Sequence, residues 1–171
     1  MSIVLIGYRG SGKTTIGKKL ADRLWQPFLD TDDLVAKKAG KSIRVIFEQE
    51  GEQRFRDLES AVIRDVAKQS EVVVALGGGA VLRQENVRVL RENYHSLVYL
   101  KCDPHELHRR IQSDPMTQQT RPSLTPFGGG LEEIQAVLAE REPVYRAAMT
   151  AELDVTHLSP DEAMVYITRL V

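Results

Sequence analysis

Short runs of apolar residues alternate along the chain with longer stretches of helical spacing. The runs are Ile3–Ile6, Val72–Leu76 and Leu97–Leu100, with a weaker one at Leu153-Asp154-Val155 and a short fifth at Pro27–Leu29. The main runs lack in/out alternation, the pattern of strands buried on both faces of a parallel sheet. Between them, Ile16, Leu20 and Leu24 recur every four residues. Phe55, Leu58, Val62 and Val66, then Val87, Leu90 and Tyr94, and finally Ile134, Val137 and Leu138 form similar stripes. Asp103-Pro104-His105-Glu106 and Ser159-Pro160-Asp161-Glu162 each set a capping residue before a proline and an acidic first turn, marking two helix starts.

Strands alternating with helices predict an α/β domain built on a mostly parallel sheet. No internal repeat and no dividing linker interrupts residues 1–171, so a single domain is expected. The stretch Ser113–Gly130 departs from the pattern, with three prolines and a terminal run of three glycines. Loops of that length inside compact domains are uncommon and often serve as lids, although a surface insertion would have the same composition.

Gly7-Tyr8-Arg9-Gly10-Ser11-Gly12-Lys13-Thr14 matches G-x-x-x-x-G-K-[ST] in full, between a predicted strand and a predicted helix. Its glycines allow backbone N–H groups to curl around phosphate oxygens, and the helix presents its positive end to the anion. Gly10, Ser11, Gly12, Lys13, Thr14 and Thr15 are therefore the candidate nucleotide-binding residues. Lys13 can reach the β- and γ-phosphates, and the Thr14 hydroxyl can ligate Mg²⁺. The motif specifies a nucleoside triphosphate and leaves its use open.

Three further clusters bear on the acceptor. Asp30-Thr31-Asp32-Asp33 follows a short strand, at the sheet edge where open α/β folds bind ligands; a plain helix N-cap is the competing reading. Arg56 and Glu59 lie one helical turn apart, and a solvated surface ion pair is the simplest account of them. Arg141 falls on the row of Leu138 and Tyr145, so a charge is expected on an inward face, where it needs a partner or ligand. Two such arginines could clamp a carboxylate. Gly77-Gly78-Gly79, directly after a strand, permits close backbone approach to a ligand.

Composition narrows the partners. Lys and Arg number 23 against 24 Asp and Glu, a net charge of -1, which supplies no general field for nucleic acid. The apolar runs are far shorter than the roughly 20 residues that span a bilayer. One cysteine, Cys102, and the lack of an export signal set the expectation of a cytoplasmic protein in a reducing compartment, and a monomer is expected. Cys102, His105 and His108 have metal-like spacing but no fourth ligand nearby, so a buried thiol and surface histidines are expected instead.

Together, GYRGSGKT, LDTD, IFEQEGEQRFRDLE, LGGGAV, Arg121-Pro122 and REPVYR closely resemble the shikimate kinases, P-loop kinases of the nucleoside-monophosphate-kinase group. The resemblance implies an open five-stranded parallel sheet in the order 2-3-1-4-5, flanked by helices, with a substrate-binding region at about 31–62 and a lid at about 113–130. It also implies transfer of the γ-phosphate of ATP to the 3-hydroxyl of shikimate, with Mg²⁺, on the route to chorismate and the aromatic amino acids. On that basis Asp32 would bind the ring hydroxyls and act as base. Arg56, Arg141 and Gly78 would hold shikimate, with Phe47, Phe55, Glu59, Gly77 and Gly79 supporting them. Thr14 would ligate Mg²⁺ directly and Asp30 through water, while Lys13 and Arg121 would neutralise charge on the phosphates. A contact with adenine falls to Arg109 or Arg110 and to the loop 156–160. Competing readings are a gluconate-type kinase, sharing the P-loop without the arginine clamp, and a noncatalytic sensor of ATP and a shikimate-like ligand.

Overall fold

The computed structural model describes residues 2–93, 96–115, 128 and 130–171. Tyr94, expected on a helical stripe, and Arg121 with most of the expected lid lie outside them.

The chain runs β1 (Ile3–Ile6), α1 (Lys13–Leu24), β2 (Phe28–Asp30), α2 (Thr31–Ala39), α3 (Ile43–Val66), β3 (Val73–Ala75), α4 (Gln84–Glu92), β4 (Ser96–Lys101), α5 (Pro104–Gln112), α6 (Leu131–Ala148), β5 (Ala151–Asp154) and α7 (Pro160–Leu170). The five strands form one parallel sheet in the order β2-β3-β1-β4-β5. All apolar runs become strands within about two residues of their expected ends.

The reason for the apolar runs is plain in the sheet centre. Every residue of β1 and β3 is buried, as are Leu97, Val98, Tyr99 and Leu100 of β4, because helices cover both faces. Burying each such Val, Leu or Ile side chain contributes roughly 1.5–3 kcal/mol. The edge strands β2 and β5 are only partly buried, which is why their sequences carry fainter signals.

The helical stripes face this sheet: Ile16 and Leu20 of α1, Val62 and Val66 of α3, Leu90 of α4, and Ile134 and Leu138 of α6 are all buried. One helix is not straight. At Gly51, φ is 83° and ψ 169°, a break that bends α3 into two segments. A short 3₁₀ turn, Ala80–Leu82, follows β3 and was not expected.

Because the strands are parallel, the segments after all five carboxyl ends emerge along one edge. They are the loop before α1, the start of α2, the triple-glycine turn, the start of α5 and the turn before α7. Chain order reverses about β1, whose neighbours β3 and β4 lead to opposite sides, and ligands of open α/β sheets bind at such a reversal.

Capping behaves as the sequence indicates. The Asp103 side chain accepts the His105 N–H at 2.8 Å. Ser159 Oγ accepts the Glu162 N–H at 3.2 Å, while Glu162 Oε2 accepts the Ser159 N–H at 2.8 Å. Ser159→Ala removes half of this reciprocal cap and is expected to cost about 1 kcal/mol of stability. Calorimetry should record a thermal midpoint about 2–4 °C lower for a chain of this size; an unchanged midpoint would show that the cap contributes nothing.

Candidate active site

The loop Gly7–Gly12 leads into α1 with a deliberate omission. Gly12, the N-cap, has φ 97° and no side-chain cap, and the first turn carries no acid. By contrast, α2, α5 and α7 are capped by Asp30, Asp103 and Ser159 and each has acids in its first turn. Only α1 of these four leaves its N–H groups and positive end open to an external anion. Lys13, 8% exposed, lies folded over the loop, donating to the Gly7 carbonyl at 2.8 Å and the Tyr8 carbonyl at 2.9 Å. Ser11 Oγ is buried without a hydrogen-bond partner among the described residues, and Thr15 is exposed beside it.

A cleft of about 640 Å³ opens over this loop. Its lining includes the 156–160 turn and residues of α5. The structure separates the two α5 arginines. Arg110 donates to Glu106 Oε1 at 2.7 Å and to the Val155 carbonyl at 2.9 Å, which fixes its guanidinium under the cleft. Arg109 pairs with the same Glu106 but its side chain is 69% exposed. Hydrogen bonds from both arginines hold the Glu106 carboxyl down at about 2. Glu106 was read from sequence only as a first-turn acid; its pairing with Arg110 was missed, although the spacing of four was the available signal.

Thr14 Oγ1 donates to Asp30 Oδ2 at 2.8 Å, and Asp30 Oδ1 accepts the Asp32 N–H at 3.0 Å. Asp30 is therefore both the N-cap of α2 and the carboxylate behind Thr14, so the two readings of this residue coexist. A hydroxyl at the lip of the phosphate loop, with one carboxylate behind it, suits Mg²⁺, which keeps several waters and takes few protein ligands. Among the described residues no group of three or more His, Cys, Asp or Glu side chains offers a denser cage. Cys102 is buried, and burial pushes its thiol up to about 11.

Across the triple-glycine turn lies a second, smaller cavity. Its lining includes Asp32, Phe47, Phe55, Arg56, Glu59 and Arg141. Here the competing reading of a solvated surface pair fails: Arg56 donates to Glu59 Oε2 at 2.8 Å with side chains only 11% and 1% exposed. The helix turns this face inward because Phe55, Leu58 and Val62 flank it in the core. The Arg56 guanidinium also lies 5.2 Å from the centre of the Phe55 ring, which contacts Phe47 at 4.9 Å.

The glycines are what permit the crowding. A Cβ on Gly77 would come within 2.6 Å of Asp32 Oδ1 and 2.7 Å of Glu59 Oε1. One on Gly79 would strike the Arg56 guanidinium, and one on Gly78 would lie 3.6 Å from Arg141 Nη1. The turn thus joins residues of α2, α3 and α6 that sequence spacing alone could not bring together. Tyr145, one turn after Arg141, donates its hydroxyl to the Gly78 carbonyl at 2.6 Å and stacks on Tyr99. Burial, opposed by Arg141, pushes the Tyr145 hydroxyl up to about 12, so it remains a donor throughout the neutral range. Its anchoring role was not foreseen, nor were Ile43 and Arg9 as lining residues.

A phosphate cradle on the central strand, facing a small cationic pocket across one turn, is the layout of a P-loop kinase for small acceptors. The profile of the shikimate kinase family matches residues 9–171. A shikimate kinase of Rhodopirellula baltica is 40% identical over 98% of this chain and 88% of its own length. One of Pelotomaculum thermopropionicum is 41% identical over 95% of this chain and 91% of its own. The solved shikimate kinase of Acinetobacter baumannii, in complex with shikimate, superposes with a TM-score of 0.91 at 31% identity, covering 99% and 91% of the two chains. The chain belongs to the shikimate kinase family.

Burial raises the Glu59 carboxyl above its ordinary 4.5, outweighing the attraction of Arg56. A group raised on folding contributes its full stability below the unfolded value and loses it as pH rises through the folded one. Relative to Glu59→Gln, the wild-type protein should therefore lose stability as pH rises above about 4.5, then level off once the folded carboxyl has ionised. Urea unfolding of both proteins from about pH 4 to about pH 7 checks this. A difference that does not vary with pH would contradict the burial argument.

Proposed function

We propose that this protein transfers the γ-phosphate of ATP to the 3-hydroxyl of shikimate, giving shikimate 3-phosphate and ADP. The observation that carries the reading is the pair of arginines, Arg56 and Arg141, set around the triple-glycine turn on the far side of the phosphate loop. A ring acid with several hydroxyls needs such a pocket: planar cations for its carboxylate and acceptors for its hydroxyls.

In this reading Arg56 and Arg141 grip the carboxylate, and Glu59 orients Arg56. Asp32 accepts the ring hydroxyls and takes the proton of the attacking one. Glu59 Oε1, buried with no hydrogen-bond partner among the described residues, is a further acceptor on the same wall. Gly78 supplies backbone at van der Waals distance, Gly77 and Gly79 keep that wall open, and Phe47 and Phe55 cover the ring.

On the other side, the open N-terminus of α1 and the loop N–H groups hold the phosphates. Lys13 exchanges its two carbonyl partners for phosphate oxygens. Mg²⁺, held by Thr14 directly and Asp30 through water, supplies charge neutralisation on the nucleotide when bound. Arg110, fixed by Glu106 and Val155, lies against the nucleotide base with the 156–160 turn. Such catalysis rests on positioning and charge, since phosphoryl transfer asks for little covalent help. We further read the chain as one catalytic unit, acting as a cytoplasmic monomer, with an acceptor-binding region at 31–62. From its sequence, the 113–130 segment is its lid and brings Arg121 to the phosphates.

Gluconate also carries a carboxylate, so the arginine pair alone does not separate the two acceptors; what favours shikimate over it, and a kinase over a sensor, is the match to shikimate kinases along almost the whole chain. ADP release should depend on shikimate, with gluconate and nucleoside monophosphates inactive as acceptors. Turnover on one of those and none on shikimate would overturn the proposal. Arg56→Ala should raise KM for shikimate about 10- to 100-fold, the loss of a charge-assisted contact, with little change in ATP affinity. Equal losses toward both substrates would remove the carboxylate role.

A further inference from the structure

The nucleotide cleft and the acceptor cavity have one lining residue in common among the described residues, Arg9. It occupies the third position of the phosphate loop, where the motif itself demands no particular side chain. The loop there packs directly on the acceptor wall. The Gly7 carbonyl and the Arg9 N–H lie 3.5 and 3.7 Å from where a Gly78 Cβ would sit, with Arg141 Nη1 at 3.6 Å. Arg9 is half-buried at this seam, and its charge, with those of Arg141 and the buried Glu133, bears on the Tyr8 hydroxyl.

A phosphoryl group passing from one cavity to the other has to cross that seam. The other Lys and Arg residues that line these two cavities divide between them: Lys13, Arg109 and Arg110 line the nucleotide cleft, Arg56 and Arg141 the acceptor cavity. We infer that Arg9 is a catalytic residue that contacts the phosphoryl group in transit and then holds it as the phosphate of the product. This rests on the shikimate kinase reading above. In the step, a bond forms between the acceptor hydroxyl oxygen and the γ-phosphorus. The bond from that phosphorus to the β–γ bridging oxygen breaks, and its electron pair leaves on ADP. The hydroxyl proton passes to Asp32. Charge on the transferring group spreads over three equatorial oxygens, and a guanidinium fork can meet two of them at once.

The role predicts a difference between substrate and product that a structural arginine would not produce. Calorimetric titration of Arg9→Met should show binding of shikimate 3-phosphate weakened about 10- to 100-fold. Shikimate and ADP affinities should stay within about threefold of wild type, and kcat should fall alongside the product affinity. Arg9→Lys, keeping the charge without the fork, should recover part of both losses. If Arg9→Met does not fold, as judged by lost ADP binding, Arg9→Gln and Arg9→Lys carry the same comparison. Equal effects on shikimate and its 3-phosphate, or none on either, would overturn the inference. A wild-type protein that turns over shikimate while Arg9→Met keeps its product affinity would sink the role of Arg9 alone. A wild-type protein inactive on shikimate would take the functional reading down with it.

Discussion

The acceptor half of the cleft depends on a buried ion pair pressed against a turn that has no side chains. Removing Arg56 and Glu59 from water is costly, and a pair of this kind seldom stabilises a fold more than apolar residues would. Leaving one partner alone would be worse, at roughly 3–5 kcal/mol, so the two are bound to each other. Their arrangement is specified instead by shape. Gly77 admits Glu59 and Asp32, Gly79 admits Arg56, and the Gly78 carbonyl is fastened by Tyr145. Three helices converge there because the turn offers them backbone alone.

The same contrast organises charge on the other side. At the starts of α2, α5 and α7 this chain supplies its own cap and acids, at Asp30, Asp103 and Ser159. At α1 it supplies neither, and the positive potential of the helix end stays unspent. A protein of net charge -1 can therefore attract two small anions without presenting a basic surface, because six of its 23 Lys and Arg residues line the cavities where the strands end.

Much of this was legible before the structure. The strands of the sheet centre announced themselves because burial on both faces leaves nothing but apolar residues, and the phosphate loop is a local device whose parts are contiguous. The capping signals at Asp103 and Ser159 are equally local. What spacing could not supply was long-range approach. Spacing put Arg56 and Glu59 on one helix face without deciding whether that face meets solvent, and only the packing of α3 turns it inward. Arg141 and Asp32 are more than a hundred residues apart, and their meeting is set by strand order. The family resemblance carried those assignments, and the turn at 77–79 gives the physical reason for them. Arg9 was quoted within the motif yet missed as a lining residue, since nothing local marks which loop residue faces a second cavity.

The bend at Gly51 has a consequence for how the acceptor pocket is assembled. Ile43 and Phe47 stand on the segment before it, whereas Phe55, Arg56 and Glu59 stand on the segment after it, locked to the core. Nothing lies within 4 Å of where a side chain would project at Gly51, whereas Ile46 on the first segment is fully buried in the core and Phe47 packs against Phe55 across the bend. Both walls of the pocket are thus seated on the core, and the positive φ at Gly51 sets the bend between them. The charges Arg56 and Glu59 therefore reach the cavity from one side of the bend only, and Ile43 and Phe47 from the other.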